Sequence, residues 1–155
     1  MVKYIAVLLF SFITVTICQY QRDFFVFTAH LTCKVNDGFR YRIQYFEDDI
    51  FFQSDRMTNF DNVGNGKGGR VIVNNFGVMY GDGFLDPYYE IYALILHNCT
   101  ENPKKMRKYR HELGTCSTEG GGCQKVLDVD ITELGEEVEP EDIPNVDFTS
   151  DDVIE

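Results

Sequence analysis

Residues 23–35, DFFVFTAHLTCKV, alternate between apolar and polar positions. Phe25, Phe27, Ala29, Leu31, Cys33 and Val35 share one side, and Thr28, His30, Thr32 and Lys34 share the other. A period of two with aromatic side chains predicts a half-buried strand. Asn36, Asp37 and Gly38 then supply turn chemistry, because these residues tolerate positive φ. Residues 40–46 alternate again, with Tyr41, Ile43 and Tyr45 set against Arg40, Arg42 and Gln44. Residues 50–53 fit a short further strand. Residues 59–69, NFDNVGNGKGG, hold four glycines and three asparagines and are expected to form a loop. Residues 70–80 read as a strand that Asn74, Asn75 and Gly77 weaken.

A second turn-rich stretch, residues 81–87, leads into residues 88–98. There Tyr89, Ile91, Ala93, Ile95 and His97 fall on one face, with Tyr88, Glu90, Tyr92, Leu94, Leu96 and Asn98 on the other. Both faces are apolar in the middle, which predicts a central strand covered on both sides. Residues 103–113 carry bases with partial alternation. Residues 114–123 look like a glycine-rich loop that two cysteines tie. Residues 125–134 place Leu127, Val129 and Ile131 inward against Asp128, Asp130 and Thr132. From Gly135 the chain is acidic, has few large apolar groups, and is expected to be a disordered tail. Six to eight short strands without a helical period predict an all-β sandwich.

The first eighteen residues stand apart. Lys3 precedes an apolar run from Tyr4 to Cys18, broken by Ser11, Thr14 and Thr16. At about 15 residues it falls short of the ~20 that cross a bilayer. It predicts a signal peptide at 1–18 and a secreted, extracellular domain at 19–134, followed by the acidic tail at 135–155. Removing the signal leaves Cys33, Cys99, Cys116 and Cys123. An even number in an oxidising compartment predicts two disulfide bonds. Cys33 faces inward and Cys99 falls with Ile91 and Ile95, so a Cys33–Cys99 bridge across the core is one pairing, with Cys116–Cys123 closing the loop. Pairing of Cys99 with Cys116 or Cys123 remains open. Zinc is disfavoured, because it needs reduced thiolates. No EF-hand spacing is present, and no cofactor is expected.

Charge changes the picture further. The whole chain carries −11, and without Lys3 the balance of 13 bases and 25 acids is −12. That argues against nucleic acid as a partner. Twelve acids and no base follow Lys125, while five bases fall within residues 104–110. Lys104, Lys105, Arg107, Lys108 and Arg110 are therefore the candidate anion- or partner-binding residues. They would suit an anionic lipid, a glycan or an acidic protein. The acidic tail is also able to fold over them and mask them. Asn98-Cys99-Thr100 satisfies N-x-[ST], making Asn98 a candidate glycosylation site.

The order of motifs resembles the secreted transthyretin-like family abundant in nematodes. The segments that carry it are HLTCKVNDG, YRIQYFEDD, DNVGNGKGGRVIV, DPYYEIYALILHNC and VLDVDITELG. Of these, Asp86-Pro87 followed by a strand and His97-x-Cys99 matches most closely. The resemblance spans roughly residues 25–135. The glycine content of residues 59–69, the length of the strand before His97 and the acidic tail depart from the family pattern. It implies a transthyretin-like (Ig-like) antiparallel β-sandwich of about seven strands. It does not imply hormone carriage, since a fold does not fix a function. Relatives with this fold that hydrolyse 5-hydroxyisourate rely on histidines, an arginine and a Tyr-Arg-Gly-Ser ending. This chain reads DDVIE there, and His30, His97 and His111 fall on different predicted strands. The expected function is therefore a non-enzymatic extracellular binding or bridging protein. The alternative is a carrier of a small hydrophobic ligand, and a hydrolase is the weakest reading.

Overall fold

The computed structural model describes residues 22–48, 54–80 and 87–139. The expected signal peptide, the expected strand at 50–53, the turn at 81–86 and the tail from residue 140 lie outside the described residues. Nine strands and no helix occur among the described residues. They are β1 (Asp23–Thr32), β2 (Arg40–Glu47), β3 (Asp55–Arg56), β4 (Asn62–Asn65), β5 (Arg70–Met79), β6 (Tyr88–His97), β7 (Met106–Ser117), β8 (Gly122–Asp130) and β9 (Glu136–Val138).

Two sheets form. The first has the order β5-β1-β8 and the second β3-β2-β6-β7-β9, with β4 also paired to β2. The hydrophobic alternation explains the arrangement. Phe25, Phe27, Ala29 and Leu31 of β1 face Tyr41, Ile43 and Tyr45 of β2 and Tyr89, Ile91, Ala93 and Ile95 of β6 in one continuous core. Phe27 stacks on Tyr45 with ring centroids 4.0 Å apart, and Phe25 meets Tyr89 edge-on at 5.1 Å. Such pairs add about 0.5–1.5 kcal/mol beyond area burial and fix how the sheets interdigitate.

One ladder departs from the antiparallel expectation. β8 runs parallel to β1, with Phe24 opposite Gly122 and Thr32 opposite Asp130. The chain leaves β7 in one sheet and enters β8 in the other through residues 118–121. It therefore arrives at the edge of β1 running in the same direction. A Cβ on Gly122 would collide with the Phe24 backbone, so only glycine lets β8 begin that close.

The strands number nine among the described residues, not about seven, because segments expected to be loop or tail join the sheets. Residues 62–65 form β4 within the expected loop, pairing with residues 40–43 of β2. A Cβ at Gly64 would lie 2.7 Å from the Tyr41 hydroxyl. That glycine serves close packing against an aromatic side chain rather than flexibility. Residues 114–117, also expected in a loop, continue β7 past a bulge opposite Ile91 and Tyr92, with Gly114 at φ 70°. Residues 136–138, expected to be disordered, form β9 against Met106, Arg107 and Lys108. β6 is central within its sheet, between β2 and β7. Its second face is covered by flanking side chains: Phe46 stacks on Tyr92, and the Arg110 guanidinium lies 3.7 Å over the same ring.

The cysteines pair Cys33 with Cys99 and Cys116 with Cys123, with Cα separations of 5.7 and 6.3 Å. Each bridge joins one sheet to the other. Cys33 follows the end of β1, and Cys99 follows the end of β6. Cys123 lies opposite Phe25 near the start of β1, and Cys116 lies opposite Tyr89 near the start of β6. The two staples therefore sit at opposite ends of the sandwich.

Candidate functional site

The expected basic residues do cluster. Lys104 and Lys105 lie in the turn before β7, and Arg107, Lys108 and Arg110 lie on it. Successive side chains of a strand point to opposite faces. Lys108 and Arg110 accordingly look outward, while Arg107 shares the side of Tyr109 and His111, both of which are half-buried.

Acids meet four of the five bases. Lys105 Nζ lies 2.7 Å from Glu137, and Lys108 Nζ lies 3.7 Å from Glu136. Arg107 contacts Glu133 at 3.0 Å and donates to the Gly135 carbonyl at 2.7 Å. Arg110 reaches Asp48 at 2.5 Å and Glu112 at 2.6 Å. The first three bases are met by residues 133–137, so the start of the acidic segment does lie against the basic strand. A carboxylate paired with a guanidinium is stabilised in its charged form. Arg110 thus holds the Asp48 carboxyl below its usual range. Glu133 is held low first by the Glu101 backbone N–H, with Arg107 contributing. Beside Tyr92, Leu94, Lys108, Arg110 and Glu136 the surface dips into an open depression of about 470 Å³.

His97 anchors this region from beneath. It is fully buried and sits opposite Arg107. Its Nδ1 accepts from the Cys99 N–H at 3.2 Å, leaving Nε2 to donate to the Leu134 carbonyl at 3.0 Å. Burial pushes its pKa down to about 4, so it is neutral and structural at neutral pH. His30 lies 3.8 Å from Asp128, and His111 contacts the Tyr109 hydroxyl at 2.9 Å. The three histidines occupy β1, β6 and β7 and have separate partners.

Asn98 is only 4% exposed. Its carbonyl oxygen accepts from the Arg40 N–H at 2.6 Å, and its amide donates to the Pro103 carbonyl at 2.9 Å. It works as a clamp on the turn after β6. A glycan on a nitrogen so placed requires that turn to open.

Sequence reasoning did not single out the outer face of the three-stranded sheet. Phe24 and Val26 of β1 lie opposite Val78 and Phe76 of β5, His30 lies opposite Ile72, and Thr28 lies opposite Val126 of β8. Phe76 is 69% exposed, Ile72 67%, Val126 59% and Phe24 58%. The signal was present in the sequence. Phe24 and Val26 occupy polar-side positions of β1, whose remaining outward residues are Thr28, His30 and Thr32.

This geometry defines a class: an all-β chain of two sheets fastened by two disulfides. No protein-family model, no curated protein and no solved structure matches the chain.

Proposed function

We propose that this chain is a secreted, non-enzymatic binding protein with a transthyretin-like sandwich, and that it engages an extracellular protein through the outer face of its three-stranded sheet. The observation that carries the reading is the exposure of Phe24, Ile72, Phe76 and Val126 on that one face. Their exposed area is on the order of 400–500 Å², taking ~150–250 Å² for a whole aromatic side chain. A protein–protein interface of standard size buries ~800 Å² per partner, of which a little over half is apolar, so the face suits a folded protein. Two disulfides and the apolar run before residue 19 support an extracellular setting. Separate structural partners for His30, His97 and His111 support a binding role over catalysis.

An anionic lipid or glycan is the weaker partner. It would have to displace Glu133, Glu136, Glu137 and Asp48 from the bases of β7.

The test is binding of labelled wild-type, Phe24→Ser/Phe76→Asp and Lys104→Glu/Lys108→Glu chains to intact cells, with and without surface trypsin. The reading expects the Phe24/Phe76 variant to lose binding and trypsin to remove the receptor, with the lysine variant unaffected. Binding that survives both the Phe76 substitution and trypsin, and is competed by heparin or phosphatidylserine vesicles, refutes it.

A further inference from the structure

We propose that the edge of β7 from Met106 to Lys108 is a docking site for an extended acidic segment of a partner protein, which takes the place of β9. β7 has twelve residues, and β9 pairs with only Met106, Arg107 and Lys108. At Lys108 the ladder ends where Gly135 packs against the Lys108 carbonyl. An unpaired edge is a template for strand addition, in which main-chain hydrogen bonds supply affinity and alternate side chains supply choice of ligand.

The segment that now occupies the site is held unevenly. Residues 131–135 are anchored in depth. Ile131 is fully buried, the Glu133 N–H donates to the Cys99 carbonyl at 3.0 Å, and His97 holds the Leu134 carbonyl. Past Gly135, which turns the chain at φ 89°, β9 is attached by a three-residue ladder and two surface ion pairs. Both pairs are about half exposed or more, and exposed pairs contribute little. β9 is able to lift at Gly135 while the core stays closed, and doing so frees Lys105, Lys108 and the backbone of Met106–Lys108.

β9 also shows what fits. Glu136 faces Lys108, and Glu137 reaches Lys105. Gly135 stays packed against the Lys108 carbonyl and Tyr109, so an incoming antiparallel strand takes the three positions that β9 vacates. The ligand pattern is therefore two adjacent acids, the first facing Lys108 and the second reaching Lys105. An anionic bilayer supplies no strand to pair with this edge. This surface belongs to the other sheet and does not depend on the apolar face discussed above.

The experiment uses the full-length exported chain and a nine-residue peptide repeating Glu-Glu-Val, with a peptide repeating Lys-Lys-Val as control. Fluorescence anisotropy at low and physiological salt compares three forms. Glu136→Gln/Glu137→Gln, which weakens β9 without touching the core, is expected to bind the acidic peptide at least fivefold more tightly than wild type. Adding Lys105→Gln/Lys108→Gln to that variant is expected to weaken its binding of the acidic peptide at least threefold. Equal affinity in all three forms, no binding by any of them, equal binding of the Lys peptide, or a gain by the Gln variant for heparin alone would overturn the proposal.

Discussion

The two disulfides make different demands on the unfolded chain, and their removal should separate by a predictable amount. Cys33–Cys99 closes a loop of 66 residues, whereas Cys116–Cys123 closes one of 7. In the chain-entropy treatment, the loop term grows with the logarithm of loop length. It gives about 4 kcal/mol for the long bridge and about 2 kcal/mol for the short one. Cys33, Cys99 and Cys116 are buried, so alanine rather than serine is the appropriate replacement. Urea unfolding of Cys33→Ala/Cys99→Ala and Cys116→Ala/Cys123→Ala, followed by fluorescence of the nine tyrosines, measures both losses. With a slope of ~1–2 kcal/mol/M for a domain of this size, the long-bridge variant should unfold about 1–2 M earlier than the short-bridge variant. Equal midpoints, or a larger loss from Cys116→Ala/Cys123→Ala, would refute the loop-entropy reasoning.

Three further outcomes are expected. The His97 pKa is lowered by burial from 6.5 to about 4, so within that window the unfolded chain binds a proton that the folded chain does not. Stability is full above pH 6.5 and falls by up to about 3 kcal/mol as the pH drops to 4; thermal melts of His97→Gln should lack that slope. Variant and wild type alike should keep the loss at lower pH, as Asp130, Asp48 and Glu133, all held low by hydrogen bonds, take up protons. Gly135→Ala puts a Cβ against the Lys108 carbonyl at φ 89° and should cost about 1–3 kcal/mol, with faster amide exchange at Met106–Lys108. Asn98→Ala removes the bonds to the Arg40 N–H and the Pro103 carbonyl and should cost about 2 kcal/mol, and an N-glycosidase should leave the mass of wild-type chain expressed through a secretory pathway unchanged.

Period-two alternation made β1, β2, β5, β6 and β8 legible, because each presents one face to a shared core. What failed was the meaning of glycine. In residues 59–69 and 114–123 glycine density suggested loops. Gly64 instead makes room for a neighbouring side chain, and Gly114 sits at a bulge inside a long strand. Composition does not reveal this, because the neighbour is distant in sequence: Gly64 packs on Tyr41. The acidic segment misled for a related reason. Residues 136–138 have no apolar periodicity of their own and become a strand only because β7 offers an edge and matching charge. Of the candidate site residues, the basic cluster was visible as a run, while its acid partners at Asp48 and Glu133 depend on the fold. Burial of Asn98 was equally hidden, since one of the two groups it holds, the Arg40 N–H, lies on β2 and is distant in sequence.

The outer face of the three-stranded sheet raises a problem of register that the staples resolve. A slip of one residue moves every side chain to the opposite face, and a strand resists it only when the two faces differ. At the Asp23 end of β1 they hardly differ. Phe25 and Phe27 point inward and Phe24 and Val26 outward, so hydrophobicity discriminates only at the other end, where Thr28, His30 and Thr32 oppose Ala29 and Leu31. Cys123 sits at the ambiguous end, opposite Phe25, and binds β8 to Cys116 of the other sheet. Cys33 holds the far end of β1 to Cys99. With both ends tied across the core, a slipped sheet would have to stretch or break a bridge. The Asp23 end of β1 is therefore free to stay apolar on both faces, which a register set by hydrophobicity alone would not tolerate.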